Sequence, residues 1–350
     1  MAPNSQGATA PVAAGLSKRA ALGAGIAVCA VIAVVAMFLG AAVPLIGGPI
    51  FAILIGLVLA NVPASAQAIA PLQIKTISGM SLRVGIVLLG ATLSLADVAR
   101  TGLVSLEVLV VTMSLGLLFA AFVGKAMGVD WRMRCLIGVG TTICGASAIA
   151  AVAPVIRAKS EEIAYAIPVI FLFNMLAVVI FPIIGHAIGL SDYGFGMWSG
   201  TAVNDTSAVV AAGFGFSQEA GEYATIVKLT RTTLIIPITL CLGLMMPWLD
   251  PEHPASGGDL ASRVKNAIPT FIGLFVIASL INTLGLIGPM APTVRFVARF
   301  VFVLALAGVG LQCGKKAFIG AGFRPLVLGC GTWAVVALSS LVVQMWTNQL

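Results

Sequence analysis

One carboxylate stands inside an otherwise apolar stretch of the chain. Asp205 follows Asn204 in a run of small and apolar residues. An ionised carboxylate at the centre of a bilayer costs at least about 2.5–3.5 kcal/mol, so such a group normally faces a cavity, a partner or a bound ion. Two roles for Asp205 are open and compatible. It could couple transport to a proton or a sodium ion, or it could cap a half-helix that begins near Thr206.

Two cations follow on the next apolar segment. Lys228 and Arg231 are three residues apart and therefore share one face of a helix. Counted from Ala220, they lie roughly 12–17 Å along that helix, which is deep for charged side chains. They could form an anion site or a salt bridge with Asp205, or they could snorkel to lipid headgroups. Arg83, near the start of an earlier helix, is interpreted as an interfacial anchor.

The stretch around Asp205 resembles a stretch 60 residues earlier. The matched pairs are Gly140 with Gly200, Thr141 with Thr201, Ser147 with Ser207 and Ala148 with Ala208. Paired glycine-interrupted segments are the best sequence indication of a transporter's binding site, because non-helical backbone in a membrane must be satisfied by protein or by a water-filled cavity. The alternative is that these glycines only permit close helix packing.

We therefore predict a binding site where the two motifs meet. If they form an inverted pair, the Cα atoms of Gly145 and Asp205 should lie within about 8–10 Å, a helix-packing distance. Asp205 is the predicted ion-coupling residue. The predicted substrate-binding residues are Thr141, Thr142, Cys144, Gly145, Ser147, Asn204, Thr206, Ser207, Lys228 and Arg231.

The composition shows which elements position these residues. Of the 350 residues, 60% are hydrophobic and 9% are charged, whereas a soluble domain carries about 25% charged residues. Because a spanning helix needs roughly 20 apolar residues, the candidate segments are about 20–43, 45–61, 79–98, 103–127, 134–155, 162–189, 195–214, 220–247, 265–286, 293–312 and 325–346. The sequence predicts an all-α polytopic transmembrane helical bundle of about 9–11 spans with inverted repeats. Residues 1–19 form a polar cytoplasmic tail, and residues 20–346 form one transmembrane transporter domain.

Basic residues between the apolar segments predict the orientation, because Lys and Arg collect on the cytoplasmic side. The pair at 18–19 places the N-terminus in the cytoplasm, and the C-terminus then lies outside. A complete crossing by 134–155 would place Arg157 and Lys159 outside. This conflict disappears if 134–155 and 195–214 each enter the membrane and return. The charges alone leave a re-entrant hairpin and a discontinuous spanning helix both open.

The remaining composition argues against several classes of function. The net charge of +7 comes from basic residues scattered between apolar segments, so no nucleic-acid partner is expected. The six cysteines and two histidines show no metal-ligand spacing, and no nucleotide-binding loop is present. We expect neither a metal nor a cofactor. The alternatives to a transporter are a membrane-embedded enzyme, with Asp205 as acid or base and Cys144 as nucleophile, and an uncoupled channel.

The motifs resemble those of the YeiH-type family of bacterial inner-membrane proteins, which carries the label of sulfate exporter. The resembling stretches are Leu136–Ile156, Glu161-Glu162, Phe195–Gly213, Val227–Arg231 and Pro269–Leu286. The resemblance implies the group of cation–proton antiporters and anion transporters, whose paired inverted repeats have broken helices that cross at the membrane centre. Many relatives carry His-Asp in the second motif. This chain has Asn204-Asp205 there, so a histidine that could carry a proton is absent from the motif.

We accordingly expect a secondary transporter of a small anion, such as sulfate or an organic or sulfonate-type anion, rather than an enzyme. Its coupling ion is a proton or sodium. It should lie in the bacterial inner membrane as a multi-pass protein, with the lipid bilayer as its other partner. A homodimer is left open.

Overall fold

The described residues of the chain form helices, with no β-strand among them. The computed structural model describes residues 17–43, 47–249, 270–312 and 322–350. The predicted all-α polytopic helical bundle is confirmed. Most of the predicted polar tail, the loop around His253 and the basic pair Lys315-Lys316 lie outside the described residues. The division into tail and transmembrane domain stays a prediction.

The helices follow one another with short connections. In chain order they are α1 (Lys18–Ala42), α2 (Gly47–Asn61), α3 (Pro63–Ile69), α4 (Ile74–Gly90), α5 (Leu95–Ala126), α6 (Trp131–Thr142), α7 (Ala146–Val152), α8 (Ser160–Ala187), α9 (Asp192–Ala202), α10 (Thr206–Phe216), α11 (Gln218–Thr233), α12 (Ile235–Leu249), α13 (Thr270–Thr283), a 3₁₀ turn at Gly288–Met290, α14 (Ala291–Gln312) and α15 (Phe323–Trp346).

Six helical stretches in the described residues are long and apolar enough to cross a membrane. They are Lys18–Ala42, Leu95–Ala126, Ser160–Ala187, Gln218–Met246, Ala291–Gln312 and Phe323–Trp346. A seventh is the α2–α3 pair if it counts as one span, although it bends by 101° where Pro63 begins α3. The shorter helices α4 and α13 add to the predicted number of crossings only if helices of 17 and 14 residues span the bilayer.

One predicted helix boundary is wrong. The sequence pattern placed a connection near residues 99–102, but α4 ends at Gly90 and α5 begins at Leu95. The reason is a local cap, because Ser94 accepts a hydrogen bond from the backbone N–H of Asp97 at 3.1 Å. A serine three residues before an aspartate is a helix-start signal that the hydropathy pattern does not contain.

Contacts between helix ends define two faces of the bundle. The Gln73 side chain donates to the Lys18 carbonyl at 3.1 Å, which places the starts of α4 and α1 on one face, the N-terminal face. At the other end, an ideal Cβ on Gly194 would lie 2.6 Å from the carbonyl carbon of Leu350. The start of α9 and the end of the chain therefore share the opposite face, the C-terminal face.

The first motif is a re-entrant hairpin, α6–α7. Arg132, in the first turn of α6, donates from Nε to the carbonyl of Ile156 at 3.2 Å. Since Ile156 follows α7, the segment returns to the face from which it entered. The 12 residues of α6 extend about 18 Å, too short to cross a bilayer core of about 30 Å. Arg157 and Lys159 accordingly lie on the same face as Arg132.

The second motif is also a re-entrant hairpin, α9–α10. The rings of His186 and Phe216 stack at 4.1 Å, and those of Phe195 and Phe216 stack at 4.0 Å. The end of α8, the start of α9 and the end of α10 are thus neighbours. Because the 28-residue α8 connects the two motifs across the bundle, the hairpins enter from opposite faces. In the described residues each motif therefore enters and returns on one face of the bundle, as the re-entrant alternative predicts.

The two hairpins break at equivalent positions. The first break separates Thr142 from Ala146, and the second separates Ala202 from Thr206, again a shift of 60 residues. Together with their opposite directions of entry, this equivalence confirms the inverted repeat. The matched Gly200 also serves packing, because an ideal Cβ there would lie 2.7 Å from Cβ of Val227.

We expect single cysteines at positions 159 and 192 to be labelled from opposite sides of the membrane. Lys159→Cys should react from the same side as a cysteine at Ser17, and Asp192→Cys from the same side as one at Asn348. The measurement is labelling of intact cells or sealed vesicles by a membrane-impermeant maleimide, in a variant without native cysteines. Labelling of positions 159 and 192 from one common side would contradict the hairpin topology.

Candidate functional site

The tips of the two hairpins touch. Gly145 begins α7 with φ +67°, a conformation that glycine adopts without the penalty of a Cβ. An ideal Cβ on Gly145 would lie 3.9 Å from both the carbonyl carbon and the carbonyl oxygen of Asn204. This contact keeps the Cα atoms of Gly145 and Asp205 within the predicted packing distance. The predicted meeting of the two motifs is confirmed.

Both α6 and α9 end at the tips. The last carbonyls of a helix have no partner within that helix, and together they carry about half a negative charge. Two such ends facing each other inside a membrane protein need donors of hydrogen bonds, because an unsatisfied backbone group there costs several kcal/mol. The sequence places two cations on α11, which packs along α9, α10 and α5.

Lys228 supplies donors to both hairpins. Its side chain is 0% exposed. The ammonium group donates to the carbonyls of Ile143 at 2.8 Å and Val203 at 3.3 Å, which are equivalent positions of the repeat, and also to the carbonyl of Asn204. An ammonium group has three donors and no acceptor. These three carbonyls match that donor set.

Arg231 binds the same two helix ends from the next turn of α11. It is also fully buried. Its Nε donates to Thr142 at 2.7 Å and its Nη2 to Thr141 at 2.7 Å, while its Nη1 donates to Val203 at 2.9 Å. All these acceptors are backbone carbonyls. We call the arrangement of Lys228 and Arg231 against the ends of α6 and α9 the carbonyl clamp.

The clamp corrects one sequence interpretation of these cations. Snorkelling to lipid headgroups is wrong, because neither side chain reaches the surface. Their donors are occupied by carbonyls, so Lys228 and Arg231 hold the hairpin tips. Direct contact of these two residues with an anion stays a prediction. Their positive charges lie on the side of the tips away from the cavity lining.

Asp205 is the N-terminal cap of α10, as the capping alternative predicted. Its Oδ2 accepts from the backbone N–H of Ser207 at 2.9 Å and from the hydroxyl of Ser207. The break before it is held by Asn174 of α8, whose Oδ1 accepts from the backbone N–H groups of Asn204 and Asp205 at 3.0 Å each. Asp205 is half-buried. Both hydrogen bonds from Ser207 use Oδ2, and Oδ1 makes none among the described residues.

A cavity of about 670 Å³ lies against the tips. Its polar lining comes from both hairpins and from three other helices, α4, α11 and α12: Arg83, Cys144, Ser147, Asp205, Thr206, Thr232 and Thr239. Phe271, at the start of α13, also lines it. The other end of α13 is at the C-terminal face, because Thr283 accepts from the N–H of Leu95 at 2.8 Å. The cavity therefore extends from the tips toward the N-terminal face.

The structure divides the predicted substrate residues into two groups. Cys144, Ser147 and Thr206 line the cavity beside Asp205. The others do not line the cavity and lie within or next to the tips: Thr141, Thr142, Gly145, Asn204, Ser207, Lys228 and Arg231. Arg83, interpreted from the sequence as an interfacial anchor, is exposed and also lines the cavity. Sequence reasoning missed Thr232 and Thr239, because no sequence signal showed which face of their helices meets the tips.

Two buried polar groups at the tips have no partner. Among the described residues, neither the oxygen nor the nitrogen of the Asn204 side chain has a hydrogen-bond partner, and the Thr142 hydroxyl has none. Asn204 is 1% exposed and Thr142 is 0% exposed. Native structures contain few such groups, and each calls for a specific explanation such as a water molecule, an ion or a functional role. The tips therefore hold unused hydrogen-bonding capacity.

Comparison with known proteins gives one family. A family model described as conserved hypothetical protein 698 matches residues 24–329. The UPF0324 membrane protein SAG1125 of Streptococcus agalactiae is 40% identical over 330 residues, which cover 91% of this chain and 96% of the relative. A UPF0324 membrane protein of Clostridium tetani is 38% identical over 337 residues, with 93% and 97% covered. No solved structure matches.

The carbonyl clamp predicts a large loss of stability on removal of one cation. Arg231→Met removes the donors to Thr141, Thr142 and Val203 and leaves buried carbonyls unsatisfied, at a cost of about 3–5 kcal/mol. We expect a clearly lower midpoint of thermal unfolding for the protein in detergent, monitored by tryptophan fluorescence. Arg19→Met, at an exposed position, is the matched control and should unfold like the parent. Equal midpoints for Arg231→Met and the parent would show that the clamp does not stabilise the tips.

Proposed function

We propose that this chain, which belongs to the conserved hypothetical protein 698 family of UPF0324, YeiH-type membrane proteins, is a secondary transporter of a small anion. The observation that carries the proposal is the contact between two re-entrant hairpins that enter from opposite faces and meet at the end of a cavity. Paired broken helices related by inverted repeats form the substrate and ion sites of secondary transporters.

The lining of the cavity favours an anion as substrate. Arg83 brings a positive charge to the cavity, and the hydroxyls of Ser147 and Thr206 have no hydrogen-bond partner among the described residues. Thr232 and Thr239 already donate to backbone carbonyls at 2.9 and 2.6 Å. Ser147 and Thr206 are therefore the hydroxyl donors available to an oxyanion such as sulfate or a sulfonate.

Asp205 supplies the link to a coupling ion. An ionised carboxylate beside the anion site repels the anion, and a bound proton or sodium ion removes that repulsion. The binding of the cation and the binding of the anion then favour each other by the same factor, because a coupling free energy between two sites is reciprocal. This coupling distinguishes a secondary transporter from an uncoupled channel.

The C-terminal face is closed by aromatic rings. Phe181 and Trp198 stack at 4.2 Å, and Phe195 and Phe216 stack at 4.0 Å around the second hairpin. In the proposed cycle this structure is the state open to the N-terminal face. Release on the other side then requires the second hairpin to move relative to α8, which carries Phe181, as alternating access demands.

The proposed location is the bacterial inner membrane, with the N-terminal face in the cytoplasm. Positive charge supports this orientation. Lys125, Arg132, Arg134 and Arg324 all lie at helix ends on the N-terminal face, and short cytoplasmic loops carry an excess of Lys and Arg. Arg295 and Arg299 lie in the first half of α14 near Gln218 and do not follow this rule.

Asp205→Asn tests the coupling role. Asn caps helices about as well as Asp, so the variant should insert and unfold like the parent. We expect it to lose uptake driven by a pH or sodium gradient, because the ionisable group is gone. The measurement is flux of labelled sulfate or an alkyl sulfonate into proteoliposomes, with each gradient applied separately. Parent-like dependence on both gradients would leave Asp205 as a cap alone.

Arg83→Gln tests the charge that faces the anion. One charge-assisted hydrogen bond is lost, so the KM for the anion should rise about tenfold, while Arg83→Lys should retain part of the affinity. Arg324→Gln, on the same face but outside the cavity lining, is the control.

Cys144→Ala tests whether the chain is a transporter or the alternative, a membrane-embedded enzyme with Cys144 as nucleophile. A nucleophilic cysteine is indispensable, whereas a cysteine that only lines a cavity is not. Flux that survives this substitution supports the transporter, and complete loss of activity in a folded variant supports the enzyme.

A further inference from the structure

A second pocket lies between α5, α6 and α12 and shares no lining residue with the cavity. It has a volume of about 360 Å³. Its walls are almost entirely apolar: Leu117, Leu118, Ala121, Trp131, Cys135, Gly138, Val139, Ile238, Leu242 and Met245. The pocket follows α6 from Trp131 to Val139, roughly 12 Å from the N-terminal face inward. We call it the lateral groove.

Arg134 provides the charged group of the lateral groove. Its side chain crosses α5 where Gly124 leaves room, since an ideal Cβ on Gly124 would lie 2.6 Å from Cγ of Arg134. Its Nη1 donates to the carbonyl of Ala121 at 2.8 Å. Its Nε is buried and has no hydrogen-bond acceptor among the described residues. Arg134 lines the groove, and with one N–H already bonded to Ala121 and another buried, the rest of its guanidinium is the cationic group that a ligand in the groove can meet.

The surroundings of Arg134 are positive. Lys125 and Arg132 lie at the same end of the groove, and Arg324 approaches Gly128, where an ideal Cβ would be 3.5 Å from its Nη1. The nearest acidic residue in sequence, Asp130, accepts from the backbone N–H of Arg132 at 2.9 Å as the cap of α6. An occupant must therefore offer an anionic oxygen at one end and an apolar chain along the groove.

We propose that the lateral groove binds one anionic phospholipid. An acyl chain lies between α5, α6 and α12, and the phosphate lies against the guanidinium of Arg134, which lines the groove. Basic pockets between membrane helices on the cytoplasmic side bind anionic headgroups, and a tryptophan such as Trp131 marks the membrane interface. The apolar walls disfavour a small hydrophilic anion. This site is independent of the proposed transport function.

Trp131 reports directly on the occupant. Lipids with brominated acyl chains quench a tryptophan that they contact, and the difference between the parent and Trp131→Phe isolates the signal of Trp131 from the other four tryptophans. Titration in mixed micelles compares brominated phosphatidylglycerol with brominated phosphatidylcholine. We expect half-maximal quenching of Trp131 at a concentration of phosphatidylglycerol about tenfold lower than that of phosphatidylcholine. One charge-assisted hydrogen bond to the headgroup corresponds to about that factor in affinity.

Arg134→Gln should remove this preference, whereas Arg19→Gln, an exposed charge on the same face, should retain it. If Arg134→Gln does not fold, Cys135→Phe fills the groove with Arg134 intact and should abolish the quenching of Trp131. Equal quenching by the two lipids in the parent would identify ordinary boundary lipid and overturn the proposal. Displacement of phosphatidylglycerol by inorganic phosphate or sulfate would also overturn it, because Arg134 would then bind a small anion.

Discussion

The structure depends on how the carbonyl clamp satisfies two helix ends inside a membrane protein. A re-entrant hairpin leaves the last carbonyls of its first arm without partners, and lipid offers none. Lys228 and Arg231 solve this problem for both hairpins at once from one face of α11. Neither charge would be tolerated there without the carbonyls, and neither hairpin tip would be stable without the charges. The contact between the hairpins and the cavity beside them follow from this mutual requirement.

The inverted repeat is symmetric in its backbone and asymmetric in its chemistry. Both breaks fall at equivalent positions, yet Asp205 stands where the first hairpin has Gly145, and Asn204 stands where it has Cys144. The glycine permits a positive φ and close approach of the tips, whereas the aspartate caps α10 and faces the cavity. The shared architecture brings the tips together, and the differences between them confine the carboxylate to one side of the contact.

Much of this arrangement is predictable from the sequence because it depends on particular residue types, namely charged residues, glycines and small hydroxyl residues, at particular positions. Charge positions indicated that 134–155 is broken or re-entrant without distinguishing the two, and the Gly-Thr and Ser-Ala matches located both breaks. The clamp was not predictable, because its acceptors are backbone carbonyls that every residue carries. Lys228 and Arg231 were recognised as important, but their partners were not. The positions of Arg83 beside the cavity and of Arg134 beside the lateral groove were not predicted for a related reason. They depend on which neighbouring helix each side chain faces, and hydropathy does not encode that.

The charges at the tips show why an anion and a cation would bind together. Lys228 uses three donors on three carbonyls, which fits a charged ammonium group, and Arg231 adds a second positive charge. The ends of α6 and α9 contribute about half a negative charge each, and the starts of α7 and α10 at the same breaks contribute about half a positive charge each. The four helix ends roughly cancel, so an ionised Asp205 offsets part of the positive charge of Lys228 and Arg231. In the proposed function, a proton or a monovalent cation on Asp205 removes that offset and favours an anion. Under the proposed function, the buried clamp thus provides a charge balance that favours binding of cation and anion as a pair.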